Sequence, residues 1–262
     1  MGDVTSALLP QGAWGSALFV ARGDGVIAGT RVVAEVFARV DPRLELTLEL
    51  ADGTGVDRGS VIGSAAGPFA SLLTAERTAL NFLCHLSGVA SLTARFVAAV
   101  RDAGDQHVQI RDTRKTTPGF RALEKAAVRA GGGVNHRGNL SDAVLVKDNH
   151  LGKVSVADSV ARARQLWPGR TVEVEADRLE LVVQAVEAGA DLVLLDNMEP
   201  AEVRAAVDVV ATRIPVEVSG GINLDTVARY ANLGVDFISV GAITHSAPVL
   251  DIALDLRLEQ EG

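Results

Sequence analysis

The chain has 262 residues, 48% apolar and 22% charged, with 33 acids against 25 bases and a net charge of −8, enough for one large domain or two smaller ones and far from the composition of a disordered chain. The acidic balance and an aromatic content of 4% argue against nucleic acid and anionic membranes as partners. A single cysteine, Cys84, excludes an internal disulfide and a cysteine-based zinc site; with no predicted span and no signal-peptide order in MGDVTSALLP, a cytoplasmic protein is expected.

The first part of the chain reads as mixed structure. LELTLEL at 44–50 alternates strictly and predicts a half-buried strand, Asp52-Gly53 a turn, and Val61-Ile62 the start of another short strand. Beyond Gly67-Pro68 the leucines 72, 73, 80, 83 and 86 recur at helical spacing. Gly88 predicts an interruption, residues 91–103 a second helix, and Gly104 its stop.

From about 107 the chain takes on a βα beat. Apolar strands are predicted at 108–110, 143–146, 171–174, 192–195, 215–218 and 237–240. Helices are predicted between them at 120–130, 155–167, 178–188, 200–211 and 224–232, with a final helix from near Pro248. Near-continuous apolar strands point to a parallel sheet covered on both faces. The fold class is therefore α/β, with an N-terminal α/β domain over 1–106 and a closed or incomplete β/α barrel over 107–262, favoured over a flat doubly wound sheet.

Each of these strands runs into a chemically loaded residue at its C-terminal end. In chain order these are Asp112-Thr113-Arg114-Lys115, Lys147-Asp148-Asn149-His150, Glu175, Asp196-Asn197, Ser219-Gly220-Gly221 and Gly241-Ala242. In a barrel such ends share one rim, where active sites are assembled. Residues 111–153 hold nine bases and four acids, a focus of +5 in an otherwise acidic chain, which suits a small polyanion. Arg114, Lys115, Arg137 and Lys147 fall at strand ends or loops, whereas Arg121, Lys125 and Arg129, at i, i+4 and i+8, read as a solvated helix face. Ser219-Gly220-Gly221 and Gly241-Ala242-Ile243 let backbone N–H groups approach phosphate. Glu175 and Asp196 suit Mg²⁺, ribose hydroxyls or developing positive charge, with ion pairing to the lysines as the plain alternative. His136, His150 and His245 are candidates for ligand contact or proton transfer, His136 beside Arg137 the first choice for an anion; His85, His107 and Cys84 read as structural.

AERTALN at 75–81, DTRKTTPG at 112–119, GGGVNHR at 131–137, KDNH at 147–150 and LDN at 195–197 together resemble the quinolinate phosphoribosyltransferase family, also called nicotinate-nucleotide pyrophosphorylase (carboxylating). SGGI at 219–222 and VGAITHS at 240–246 fit as well. The resemblance implies an N-terminal α/β sandwich, an incomplete barrel with its C-terminal helix packing back on the first domain, and a homodimer. It implies transfer of phosphoribose from phosphoribosyl pyrophosphate to quinolinate with loss of CO₂, giving nicotinate mononucleotide for NAD biosynthesis, with Mg²⁺ accompanying the pyrophosphate. By the resemblance Arg114, His136, Arg137 and Lys147 cradle quinolinate, Arg77 reaches across the dimer to complete that cradle, and Thr113 is a further substrate-binding residue. Lys115, with Lys147, holds pyrophosphate; Glu175 and Asp196 serve the ribose and its oxocarbenium-like charge; the two glycine groups, with His245, take the 5′-phosphate. The family usually has another helix ahead of Gly2-Asp3-Val4-Thr5 and an apolar residue then glycine after Arg137, where this chain has Gly138-Asn139. Rival readings are the molybdenum-transport-associated homologues, which lack the pair found here as Lys147-Asp148, a paralogue acting on another pyridine carboxylate, and a non-catalytic binding homologue.

Overall fold

The computed structural model describes residues 3–10, 12–147, 149 and 154–258. Asp148, His150 and Lys153 lie outside the described residues. Two compact units share the chain: Met1–Ala94 with Leu123–Gly132 and Ala247–Gly262, and Arg95–Ala122 with Gly133–Ser246. Where the sequence suggests a single change of character near 107, the chain returns twice to its first unit.

The first unit opens with β1 (Trp14–Ala21), β2 (Gly25–Val26), α1 (Thr30–Val40), β3 (Glu45–Leu48), β4 (Gly55–Val56) and β5 (Val61–Pro68), followed by α2 (Phe69–Asp102), which crosses the unit limit. β1 and α1 have no counterpart in the sequence reading; the inward side of β1 is Gly15, Ala17, Phe19 and Ala21, mostly residues too small to register as an apolar stripe. Phe19 and Phe37 meet with ring centroids 5.8 Å apart, and Ile27, Ile62, Leu72 and Leu83 are fully buried beside them. Each such side chain contributes about 1.5–3 kcal/mol of burial free energy.

The break expected at Gly88 is absent, because α2 runs through it. A Cβ at Gly88 would lie 2.1 Å from the Pro248 carbonyl oxygen, so glycine is there for a close crossing of chains. By length and composition α2 matches a membrane span, contrary to the sequence expectation; 56% of its apolar window is buried inside the protein, as in a core helix.

The second unit alternates strand and helix. It holds β6 (Gln109–Arg111), the start of α3 (Arg121–Ala130), β7 (Val144–Val146), α4 (Val156–Leu166), β8 (Val172–Ala176), α5 (Leu179–Glu187), β9 (Leu192–Asp196), α6 (Pro200–Val210), β10 (Val216–Ser219), β11 (Phe237–Ser239) and the short α7 (Ala242–His245). Ser155 caps α4 by accepting from Asp158 N at 3.1 Å. The helix expected at 224–232 is only a 3₁₀ turn, Val227–Arg229. The Asn223 side chain accepts from the backbone N–H groups of Asp225 and Thr226, a local turn that competes with helix.

The six strands form one parallel sheet in the order β6-β11-β10-β9-β8-β7. This is the strand order of a barrel left open between β6 and β7. Val134 lies along β6 in that gap, bridged to Arg111 and donating to Ile110 O at 2.8 Å.

The final segment corrects the expected C-terminal helix. Ile252–Leu258 is a strand, β12, antiparallel to β1 with Ala17 opposite Leu256 and Ala21 opposite Ile252. IALDLRL alternates with period two, which no helix face accommodates. It completes a four-stranded sheet, β12-β1-β5-β3, in the first unit.

Candidate active site

Side chains two apart on a strand share a face. On the inner face of the open barrel this places Leu145 and Lys147, Glu173 and Glu175, Leu194 and Asp196, Glu217 and Ser219, and Ser239. Their neighbours Val172, Val174, Val193, Leu195, Val216, Val218 and Ile238 are buried on the outer face. The apolar core of the unit therefore lies outside the strands, and the interior is polar. Register ties the functional groups together: Asp196, Ser219, Ser239 and Arg111 stand in one row across four strands, and Glu175, Leu194 and Glu217 in another.

Two cavities open at the C-terminal ends of the strands. One, of about 190 Å³, is lined by Arg114, His136, Arg137, Lys147, Glu175 and Asp196 among others. The second, of about 270 Å³, is lined by Gly220, Gly221, Ile222, Gly241, Ala242 and His245. Thr113, Lys115, Ser219 and Ser239 line both, so they are lobes of one site. The first lobe is cationic on one side and acidic on the other. The second is walled largely by backbone.

Burial, then the charge of Arg114, lowers the proton affinity of Arg137. Arg137 donates to Ala143 O at 3.0 Å and keeps Nε buried without a partner. Two guanidinium groups held against their repulsion favour an anion between them. Lys147 is ion-paired with Glu175, so the plain alternative for that carboxylate, pairing with a lysine, is realised here. Asp196 accepts from Asn197 Nδ2 at 2.9 Å. Lys115 is exposed; its N–H donates to Thr113 Oγ1 at 3.0 Å and its carbonyl accepts from Thr244 Oγ1 at 2.8 Å, which fixes its backbone while the ammonium stays available.

Beneath the first lobe lies a buried charged floor that sequence reasoning missed. Glu217 pairs with Arg111, accepts from Ser239 Oγ at 2.5 Å, and lies 3.6 Å from His136 Nε2. Burial and then the neighbouring Glu173 push its carboxyl above the usual range, against the pull of His136 and Arg111. Arg111 also stacks over Phe237, 4.2 Å from the ring centroid. The missed signal is the alternation V-E-V-E at 172–175 and V-E-V-S at 216–219, which marks strands with one polar face.

His136 lines the first lobe, but its ring is committed to the floor. Nδ1 accepts the Arg137 backbone N–H at 2.8 Å, and Nε2 faces Glu173 Oε2 at 3.1 Å. That pattern assigns the ring hydrogen to Nε2, donating to Glu173. His136, Glu173 and Glu217 are of metal-ligating type and mutually close. The Nε2 hydrogen occupies the direction a metal would need, so the cluster is better matched to a proton than to an ion.

The structure thus brings together Thr113, Arg114, Lys115, His136, Arg137, Lys147, Glu175, Asp196, Ser219, Gly220, Gly221, Gly241, Ala242 and His245. Ile243, expected to offer its backbone N–H, has a fully buried side chain and is not among the residues lining either lobe. Arg77, on α2, is 75% exposed, and its carboxylate neighbour is Glu76 at 3.7 Å. The solvated face expected for Arg121, Lys125 and Arg129 holds only for Arg129, since Lys125 is buried and Arg121 half-buried, folded back onto the loops after β6 and before β7.

A barrel mouth that sets a guanidinium cradle beside a backbone-walled anion pocket, with carboxylates between, is the site of a phosphoribosyltransferase-type enzyme. Residues 3–87 match the family profile for the quinolinate phosphoribosyl transferase N-terminal domain, and residues 89–255 that for its C-terminal domain. A probable nicotinate-nucleotide pyrophosphorylase (carboxylating) of Bacillus subtilis is 41% identical over 263 residues, covering 100% of this chain and 90% of that protein. A nicotinate-nucleotide pyrophosphorylase (carboxylating) of Mycobacterium leprae is 44% identical over 260 residues, covering 96% and 90%. The crystal structure of NadC from Streptococcus pyogenes superposes with a TM-score of 0.93 at 41% identity, covering 98% of this chain and 90% of that one. The chain belongs to the quinolinate phosphoribosyltransferase family.

Proposed function

We infer that this chain transfers phosphoribose from phosphoribosyl pyrophosphate to quinolinate with decarboxylation, giving nicotinate mononucleotide, pyrophosphate and CO₂ on the way to NAD. The observation that carries this reading is the two-lobed site, cationic in one lobe and walled by glycine backbone in the other, with Glu175 and Asp196 at the cationic lobe.

Arg114, Arg137 and Lys147 hold the two carboxylates of the acid, and the ring nitrogen is thereby aimed at the sugar. The 5′-phosphate sits against Ser219-Gly220-Gly221 and Gly241-Ala242, with His245 beside it. The nitrogen lone pair forms the bond to C1 as the bond from C1 to pyrophosphate breaks and its electron pair leaves with that group. Glu175 and Asp196 stabilise the positive charge that develops on the ribose. Lys115, exposed at the junction of the lobes, receives the pyrophosphate. The bond from C2 to its carboxylate then breaks, the electrons remain beside the new pyridinium, and a solvent proton replaces CO₂. Positioning and electrostatics supply most of the acceleration, because the leaving group is already a good one.

Glu175 and Asp196, carboxylates lining the same lobe, are the side chains that would supply protein oxygens to Mg²⁺ arriving with the pyrophosphate, and the ion would neutralise the charge of the leaving group. The working form is a homodimer in which the exposed Arg77 completes the partner's cradle, and a cytoplasmic location accords with a chain that has a single cysteine.

The test is incubation with quinolinate, phosphoribosyl pyrophosphate and Mg²⁺ while following CO₂ release. Nicotinate as the replacement acid separates the specificities. Absence of CO₂ and of nicotinate mononucleotide with quinolinate, whether or not nicotinate is turned over, would sink the reading.

A further inference from the structure

We propose that Arg121 is a positioning residue, a strut whose guanidinium fixes the spacing between the loop carrying Arg114 and Lys115 and the loop carrying His136 and Arg137. All three of its nitrogens are engaged. Nε donates to Thr116 Oγ1 at 3.0 Å, Nη2 to the Arg114 carbonyl at 3.0 Å, and Nη1 to the Gly138 carbonyl at 3.1 Å. Two acceptors thus belong to the first loop and one to the second.

The place is where the barrel lacks a ladder. The first loop leaves β6 and the second leads to β7, and these strands do not pair; at their β6 end the two segments are tied by the Val134 bridge and by the buried Asp112, which accepts from Asn135 Nδ2 at 2.5 Å and from the His136 N–H at 2.8 Å. Both loops carry cations that face one another, and the proximity of Arg114 is felt at Arg137. Beyond these ties the cationic stretches at Arg114 and Arg137 repel each other across the seam, and Arg121 links the loops there, at the Arg114 and Gly138 carbonyls. The strut binds two carbonyls and the Thr116 hydroxyl rather than the catalytic side chains, so it sets backbone separation and leaves the arginine heads free. A planar fork spans three fixed acceptors, which the compact ammonium of lysine does not.

The inference rests on the proposed function for its kinetic readout only. R121K and R121A are compared with the whole wild-type enzyme in steady-state turnover, with and without millimolar guanidinium, and by amide hydrogen exchange. The expected result is a rise of about 10–100-fold in KM for quinolinate, the scale of a misplacement near 1 Å, with kcat changed less than about threefold. KM for phosphoribosyl pyrophosphate rises less than that for quinolinate, because the Lys115 carbonyl is also held by Thr244 Oγ1; added guanidinium restores part of the loss in R121A, and lysine does not substitute. Exchange quickens at 113–116 and 136–139 and is unchanged elsewhere. Wild-type-like KM in R121A, lost activity with unaltered exchange in both loops, or faster exchange throughout the barrel would each overturn the strut. If the wild-type enzyme does not act on quinolinate, the functional reading falls while the exchange pattern still decides the role of Arg121.

Discussion

Replacement of Gly220 by alanine tests how tightly the phosphate wall and the acidic pair are joined. Gly220 has φ +103°, a conformation that costs an L residue about 1–3 kcal/mol. An added Cβ would stand 2.2 Å from Asn197 Oδ1, 2.6 Å from its Cγ and 2.8 Å from its backbone nitrogen. Ordinary contact begins near 3.4 Å, so Asn197 has to withdraw by about 1.2 Å. It cannot do so alone. Its amide donates to Asp196 Oδ2 at 2.9 Å, and its backbone N–H to Ser219 O at 2.9 Å. Asn197 itself sits at φ 57°, so the segment has little slack. The methyl group therefore displaces the Asp196 carboxylate by a distance comparable with 1 Å, worth about 100-fold in kcat/KM, or about 2.7 kcal/mol of transition-state stabilisation. Steady-state assays with quinolinate and phosphoribosyl pyrophosphate, alongside a thermal melt showing a folded enzyme, measure this directly. A G220A enzyme within threefold of wild type in kcat/KM would show that Asp196 is not held through Asn197.

Lys115→Ala and Glu175→Ala are each expected to lower turnover by about 100-fold or more, as for loss of one preorganised charge at the reacting centre, and near-wild-type rates in either refute its assigned role. Glu217→Ala leaves the half-buried Arg111 without its carboxylate and is expected to cost about 2–4 kcal/mol in denaturant unfolding, with Glu217→Gln costing less; an E217A protein as stable as wild type would remove the floor from the account. Because the native carboxyl of Glu217 is raised, the folded state binds its proton more tightly than the unfolded chain. Its contribution is full below the ordinary glutamate value of about 4.3 and is lost as pH rises through the native one, so unfolding free energy falls across that window and flattens in E217Q. Chelation of divalent cations is expected to abolish turnover and added Mg²⁺ to restore it; full activity in chelator would exclude the proposed ion.

The rim of the barrel was legible because each parallel strand is short and apolar and ends on a residue that chemistry has reason to place there. Asp196 after LVLL and Ser219 after VEV sit within a residue of where the spacing puts them. The interior was less legible. Glu173 and Glu217 look like tolerated polar residues in apolar strands, and only the pairing register shows them turned inward onto His136. Arg121 has the spacing of a solvent-facing helix residue, yet it stands at the first position of α3, where a side chain can reach back over the preceding loop. The C-terminal strand was obscured by Pro248, read as a helix start, although the alternation from Ile252 onward was present. Gly88 reads as a stop in one dimension and as a crossing point in three.

The pairing of β1 with β12 has a consequence for biosynthesis. These strands are neighbours in one sheet although they come from opposite ends of the chain, Trp14–Ala21 and Ile252–Leu258. Ribosomes deliver about 5–20 residues per second, so the N-terminal sheet waits many seconds with the edge of β1 bare. A bare edge strand is a template for pairing with another chain. The nascent chain thus carries β1 as a bare edge until residues 252–258 have been made, and a variant without Ile252–Leu258 keeps that edge unpaired.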